Sequence, residues 1–179
     1  MPAQTPSLPV RHSLLLLALG LLAGSGPGRA GEVAVQRGRD AGYHDTVLVH
    51  AGDPFWRRQS GQRPLTAHLE ISLGEVTAPS GLPDDRLWHV GLTPTLRYEL
   101  AAGTGVEYGF GALLFSGTRL GDKSISTALQ FSNTLGIYHQ FADSPWSLGL
   151  RYSHYSNGDL KRPNPGQDYL MLRLGYRLD

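Results

Sequence analysis

The chain has 179 residues with 16 basic and 15 acidic side chains, no cysteine, 23 glycines and 12 prolines. A near-neutral charge without a basic block gives no indication of nucleic-acid binding, and the absence of cysteine excludes disulfides and thiolate metal sites. So many glycines and prolines argue against a helical protein. The length predicts a single folded domain.

Residues 1–30 have the organisation of a secretory signal peptide. A basic start is followed by an apolar run over residues 14–23, and small residues precede the predicted cleavage site after Ala30. An N-terminal membrane anchor is the alternative, but the run is shorter than the roughly 20 residues that a transmembrane helix needs. We therefore expect an exported protein whose single domain is residues 31–179.

The rest of the chain alternates apolar and polar residues with a period of two, which predicts β-strands. Two weaker strands come first and six clearer ones follow, in the order 32–39, 43–51, 65–73, 88–100, 106–114, 129–141, 146–152 and 170–178. The segment between the second and third strands, residues 52–64, predicts a loop that carries aromatic and basic side chains. No segment of the mature chain has a convincing helical period.

Such alternation fits two architectures. A soluble barrel or lipocalin-like cup buries its apolar rows, whereas a transmembrane barrel turns them to lipid and keeps a polar interior. The signal peptide, the strands of roughly nine to eleven residues and the aromatic residues near strand ends favour the membrane barrel. Glycines on the polar rows suit the close packing inside a narrow barrel. We predict an all-β fold, an eight-stranded antiparallel transmembrane β-barrel.

The polar rows contain charged residues that we expect to form ion pairs inside the barrel: Arg151, Arg173, Glu99 and Glu107. His68 and His89 also lie on polar rows, where hydrogen bonding inside the barrel or at its rim is the expected role. No two histidines have the spacing of a metal site, so the sequence predicts neither a metal nor another cofactor.

The segment RYSHYSNGDL, residues 151–160, places His154 and Ser156 two residues apart and therefore on one face of a strand. Both continue the apolar row of that strand, so they face outward at its end. With both termini in the periplasm this strand ascends to an outer loop over 157–167. Asp168 has the parity of the outward row on the last strand. We expect the three side chains to converge where the barrel meets the outer leaflet.

A serine, a histidine and an acid in one place suffice for nucleophilic catalysis. The histidine accepts the serine proton, and the acid holds the histidine in the correct tautomer. Asn157 and Asn164, in or beside the loop, offer amide donors to a developing oxyanion. Asp159 is a second candidate for the acid. The alternative is that His154 and Ser156 are ordinary rim residues, since two such residues also occur at this spacing by chance.

The run HYSNGDLKRPNPGQD, residues 154–168, resembles the carboxy-terminal signature of the lipid A 3-O-deacylase family. FSGTRLGD, residues 115–122, followed by LQF at 129–131, is similar to the central segment of that family. The resemblance implies an eight-stranded outer-membrane barrel. It also implies a serine esterase that removes the acyl chain at the 3-position of lipid A, the anchor of lipopolysaccharide.

The resemblance assigns roles to particular residues. Ser156 matches the nucleophile, His154 the base and Asp168 the orienting acid, although the family commonly has the longer glutamate at that position. Asn164 matches an asparagine of the oxyanion hole, and Asn157 matches the asparagine that follows the serine. Asp159 stands where the family pattern has a small residue.

The implied partners are lipid A in lipopolysaccharide and the surrounding outer-membrane lipids, with a homodimer left open. Basic residues that flank the site are candidates for contact with headgroup phosphates: Arg119, Lys123, Lys161 and Arg162. Two other functions stay open. One is a non-catalytic small barrel that serves as an anchor, adhesin or stress protein. The other is a lipid A palmitoyltransferase with an acyl chain inside the barrel, which an outward-facing trio and a charged interior disfavour.

Overall fold

The computed structural model describes residues 31–178, so the predicted signal peptide lies outside the described residues. The elements are β1 (Gly31–Asp40), β2 (Tyr43–Gly52), β3 (Trp56–Ser60), β4 (Arg63–Thr77), β5 (Arg86–Ala101), β6 (Thr104–Phe115), β7 (Arg119–Leu120), β8 (Lys123–Ser124), β9 (Leu129–Gln140), β10 (Trp146–Ser156) and β11 (Gln167–Leu178). Residues 31–178 include no helix of the length and apolarity that a bilayer crossing requires.

Eight long strands close into an antiparallel barrel. They follow one another around the ring as β1, β2, β4, β5, β6, β9, β10 and β11, and the pairing of β11 with β1 completes it. The hairpin β7–β8 forms a separate small sheet. The predicted fold class, with its number of strands, is therefore confirmed.

The prediction of a loop over residues 52–64 is wrong in its centre, where β3 forms and pairs with β4. The pairing of β2 with β4 stops at Ala51 and Glu70, so the first residues of β4 extend beyond the end of β2. Their backbone N–H and C=O groups would lack strand partners on that edge. Strand β3 pairs with this edge.

The two faces of the wall differ sharply in polarity. Outward apolar side chains are exposed, with Leu135 at 62% and Leu172 at 58% of their full accessibility. Charged side chains on the alternate positions are buried, with Arg173 at 1% and Glu107 at 2%. A soluble barrel would have the opposite distribution. An apolar outer wall around a polar interior is the arrangement of a membrane barrel.

The interior holds a network of three arginines and three glutamates: Arg97, Arg151, Arg173, Glu32, Glu70 and Glu107. Arg151 donates through Nε to Glu107 at 2.6 Å and through both terminal nitrogens to Glu70 at 2.8 and 2.9 Å. Arg173 donates to Glu32 at 2.6 Å. Equal numbers of opposite charges, joined by hydrogen bonds, offset the desolvation that burial imposes.

Three of the four residues expected to pair inside the barrel do so, and Glu99 does not. Glu99 is half-buried near the turn that joins β5 to β6. Among the described residues no basic group lies within 4 Å of its carboxylate. The side chain is close to the end of the barrel, where water can solvate its charge.

A second buried cluster lies beneath the loop end of the barrel. The Tyr155 hydroxyl donates to Asp45 Oδ2 at 2.9 Å, and His89 Nε2 lies 3.1 Å from Asp45 Oδ1. The predicted interior hydrogen bonding of His89 is thus confirmed, and His68 contacts the Gly52 carbonyl at 3.2 Å. Because Tyr155 is held on the inner face, its neighbours in β10 are fixed on the outer face.

The ion network makes a prediction about stability. We expect Arg151→Met to lower the free energy of unfolding at neutral pH by about 3–5 kcal/mol, because two buried carboxylates lose their shared cation. Urea unfolding in detergent micelles, followed by the heat-modifiable shift in gel mobility, measures the change. Arg177→Met is the control, since Arg177 is exposed at the end of β11. Equal losses in the two variants would contradict a stabilising role for the network.

Candidate active site

The candidate site lies on the outer wall at the loop end of β10 and β11. Strand β10 ends at Ser156, β11 begins at Gln167, and residues 157–166 connect them. His154 and Asp168 are direct cross-strand partners in this hairpin. Directly opposed residues on one face of an antiparallel pair have Cβ atoms about 4.5–5.5 Å apart, so their side chains meet.

The histidine and the acid are hydrogen-bonded. His154 Nδ1 lies 2.8 Å from Asp168 Oδ1, and the two side chains are 39% and 49% exposed on the outer surface. The short aspartate reaches the ring because the register places it directly opposite. With Nδ1 as the donor to the carboxylate, Nε2 is left to accept a proton.

A tyrosine that the sequence analysis treated only as part of the outward apolar row also contacts the acid. The Tyr152 hydroxyl donates to Asp168 Oδ1 at 2.5 Å, the same oxygen that contacts His154. Tyr152 lies two residues before His154 and so shares its face. Parity predicts that shared face, but the reach of the hydroxyl to the carboxylate becomes visible only in the structure.

Ser156 is the last residue of β10 and lies opposite Phe131 of β9. It is half-buried on the same outward face as His154. Among residues 31–178, no hydrogen bond joins the Ser156 hydroxyl to His154, whose partner is Asp168. In unliganded enzymes such contacts are often long and shorten only when substrate binds.

The two asparagines have different surroundings. Asn157 is fully buried, and its Nδ2 donates to the carbonyls of Lys161 at 2.7 Å and Ile125 at 3.2 Å. It therefore joins two loops on the inner side of the wall. Asn164 accepts a hydrogen bond from the Asn157 backbone N–H at 3.1 Å, and its Nδ2 lies 3.4 Å from Asp159 Oδ1. Of the two side-chain amide nitrogens, that of Asn164 is near the loop surface, and that of Asn157 is buried.

The rival acid is directed elsewhere. Asp159 is exposed in the loop, and its carboxylate contacts Asn164. The structure therefore brings Asp168, and not Asp159, to His154.

Of the four basic residues expected to contact phosphates, three are exposed at the loop end, Arg119 on the β7–β8 hairpin and Lys161 and Arg162 in the loop after β10, and the fourth, Lys123, contacts other side chains. The Lys123 ammonium lies 3.8 Å from Asp40 and 4.2 Å from the centre of the Tyr43 ring. Within the part of the chain that the structure describes, no group of three or more histidine, aspartate or glutamate side chains is placed to hold a metal ion.

Gly166 brings the loop back against the imidazole. Its φ of 64° lies in the left-handed region that favours glycine. A Cβ at this position would lie 2.9 Å from His154 Cε1, which is closer than ordinary contact. The missing side chain therefore allows the loop to pack beside the histidine ring.

Together, the closed barrel, the apolar outer wall and an outward-facing histidine–acid pair beside a serine define a class of protein, the small membrane β-barrels with a polar site on the lipid-facing side. A family model described as lipid A 3-O-deacylase (PagL) matches residues 41–177. The chain therefore belongs to the lipid A 3-O-deacylase family, as its sequence resemblance indicates.

Individual relatives agree with this assignment. The chain is 30% identical to the lipid A deacylase PagL of Bordetella bronchiseptica over 166 residues. The matched region covers 92% of this chain and 93% of that protein. It is 41% identical over 76 residues to the lipid A deacylase PagL of Pseudomonas aeruginosa, over 41% of this chain and 43% of that protein. A crystal structure of the outer membrane enzyme PagL matches with a TM-score of 0.72 at 26% identity, covering 82% of this chain and 99% of that chain.

The contact of Tyr152 with Asp168 makes a prediction. We expect Tyr152→Phe to lower kcat for deacylation about tenfold while KM changes little, because the acid loses a charge-assisted hydrogen bond that fixes its position. Initial rates of fatty-acid release in detergent micelles measure the change. Tyr176→Phe is the control, because Tyr176 lies on the outward row of β11 that also carries Asp168, but at the other end of the strand. An unchanged kcat for Tyr152→Phe would show that the hydroxyl does not position the acid.

Gly166 allows a matched comparison with another glycine. Gly61 has a similar φ of 63° but nothing within 4 Å of an added Cβ. We expect Gly166→Ala to reduce deacylation at least tenfold, because the methyl group displaces the His154 ring, and Gly61→Ala to leave activity near normal. Rates are compared at equal amounts of heat-modifiable, folded protein. Similar activities in the two variants would mean that contact with the ring is unimportant.

Proposed function

We propose that the protein is a lipid A 3-O-deacylase, a serine esterase that hydrolyses the ester-linked acyl chain at the 3-position of lipid A in lipopolysaccharide. The observation that carries the proposal is the 2.8 Å contact between His154 and Asp168 on the outward face that also presents Ser156. Membership of the deacylase family supports the same reaction.

The proposed location is the outer leaflet of the outer membrane. The site is at the loop end of the barrel, whereas Gly31 and Leu178 lie together at the opposite end. The outward apolar rows of β10 and β11 extend to Tyr152 and Leu170, and polar side chains follow. His154, Ser156 and Asp168 are therefore proposed to lie at the boundary between the hydrocarbon layer and the headgroups. This is the depth of an ester linkage between sugar and acyl chain.

In the proposed reaction Ser156 Oγ attacks the carbonyl carbon of the 3-linked ester while His154 Nε2 takes its proton. Asp168 holds the imidazole and stabilises its protonated form. The tetrahedral intermediate collapses, and the sugar 3-hydroxyl leaves with the proton from His154. A water molecule, deprotonated by His154, then attacks the acyl-enzyme and releases the fatty acid and the free serine.

Asn164 is the proposed donor to the oxyanion. Within residues 31–178 its Nδ2 has a single partner, Asp159 Oδ1 at 3.4 Å, so a small movement can redirect it to the substrate. Asn157 contributes support, because its buried amide binds both loops and its backbone N–H binds Asn164. The exposed Arg119, Lys161 and Arg162 are proposed to contact the phosphorylated headgroup from the β7–β8 hairpin and the loop after β10, and Lys123 would have to leave Asp40 to join them.

The palmitoyltransferase alternative requires an acyl chain inside the barrel. The cavity beside Glu70 and Arg151 has a volume of only about 30 Å³, which accommodates water and no acyl chain, and the larger cavity of about 220 Å³ lies at the opposite end of the barrel, beside Gly31 and Arg97. The non-catalytic alternative requires no hydrogen-bonded histidine and acid on the lipid-facing wall. Both observations favour the esterase.

Removing the nucleophile tests the proposal directly. We expect Ser156→Ala to abolish release of the 3-linked hydroxy fatty acid from purified lipid A, as detected by mass spectrometry, because no other group can form the acyl-enzyme. Ser153→Ala is the control, since Ser153 is on the same strand but buried on the inner face. Release at the normal rate by Ser156→Ala would falsify the serine-esterase mechanism.

The two candidate acids can be separated by matched substitutions. We expect Asp168→Asn to lower kcat by about 10⁴-fold, the usual loss when a serine–histidine pair loses its orienting acid. Asp159→Asn should cost far less, because its carboxylate contacts Asn164 and not His154. Turnover of lipid A in mixed micelles is the measurement. A larger loss for Asp159→Asn would identify Asp159 as the acid.

A further inference from the structure

Two arginines occupy the outward face of β1, where the rest of the row is apolar. Arg37 and Arg39 follow Val33 and Val35 along that row, and both arginines are exposed. In residues 31–178 neither guanidinium has a carboxylate within 4 Å. Each arginine of the interior network, in contrast, is paired with at least one glutamate. An outward charge is unfavourable in contact with hydrocarbon and tolerated at its edge.

The outward rows of β1, β10 and β11 all change from apolar to polar toward the loop end of the barrel. On β10 the change falls between Tyr152 and His154, and on β11 between Leu170 and Asp168. On β1 it falls after Val35, at Arg37. In the register of β1 with β11, Arg39 lies opposite Leu170 and Arg37 opposite Leu172, so the two arginines lie one and two outward positions from Asp168, toward the apolar part of the wall.

The arginines are also close to the site around the barrel. Strand β1 pairs with β11, which pairs with β10, and Arg39 lies opposite Leu170, the outward residue that follows Asp168. Neighbouring strands are about 4.8 Å apart, so β1 lies roughly 10 Å from β10. A flexible arginine side chain spans much of that distance across the outer surface.

We propose that Arg37 and Arg39 bind a phosphate monoester of lipid A and so hold the 3-linked ester against Ser156. This inference rests on the proposed function. The planar guanidinium donates two parallel hydrogen bonds to phosphate oxygens, which gives orientation as well as charge. The two residues stand on the barrel wall, whereas Lys161 and Arg162 are in a loop and Arg119 and Lys123 are on the small separate hairpin β7–β8, so β1 supplies the more rigid contact.

The test compares two substrates in one micelle system. Wild-type protein and the Arg37→Gln/Arg39→Gln variant are assayed in neutral-detergent micelles with lipid A that retains its phosphates and with lipid A from which the phosphates have been removed. We expect the variant to raise KM at least tenfold for the phosphorylated substrate, with kcat nearly unchanged and less than a twofold effect on the phosphate-free substrate. Arg58→Gln is the matched control, since Arg58 is exposed on β3 at the opposite end of the barrel.

Two further arms identify the source of the phosphate and the role of the guanidinium. Phosphatidylglycerol added to the micelles should not compete, because it offers a phosphodiester of lower charge and no sugar. Competition that disappears in the double variant would overturn the assignment to lipid A. Arg37→Lys/Arg39→Lys should restore part of the lost affinity, because charge is kept while the fork geometry is lost. Heat-modifiable mobility verifies that each variant is folded.

The outcomes separate this inference from the proposed function. An equal rise in KM for both substrates, or none for either, overturns the phosphate site even if the wild-type protein releases the 3-linked fatty acid normally. If the wild-type protein releases no fatty acid from either substrate, the proposed function itself fails.

Discussion

Each residue of the barrel wall must face either the surrounding lipid or the enclosed interior, because successive side chains on a strand point in opposite directions and closure leaves no free edge between them. This constraint separates two kinds of chemistry across a single layer of backbone. The charged residues are neutralised inside, as Arg151 and Arg173 illustrate. The histidine and its acid are presented outside. Residues adjacent in sequence therefore belong to different environments.

The interior stabilises the wall that carries the site. Tyr155 stands between His154 and Ser156 in sequence, and its hydroxyl is bound to Asp45 on the inner face. Asn157 continues that inner row and binds the backbone of both neighbouring loops. The inner contacts thus fix the backbone at the end of β10. Because the outward side chains are attached to this backbone, their positions are fixed as well.

Alternation was enough to predict the eight barrel strands, their outward rows and the shared face of His154, Ser156 and Asp168, since parity is a local property of sequence. Strand β3 was not predictable in this way, because it depends on β4 extending beyond β2. The burial of Asn157 and the missing partner of Glu99 likewise depend on tertiary neighbours. The reach of the Tyr152 hydroxyl to Asp168 depends on side-chain geometry across a strand pair, which spacing along one strand cannot specify.

The position of the histidine–acid pair on the outer wall has a consequence for how a substrate would be met. A pocket that opens to water samples substrate in three dimensions, and its occupancy follows bulk concentration. A site on the side of a barrel is reached by lateral diffusion, so its occupancy follows the mole fraction of substrate in the leaflet. Dilution with inert lipid would then slow such an enzyme even when the total amounts of protein and substrate stay constant. Water-soluble compounds would reach it poorly, and effective inhibitors would have to partition into the membrane first.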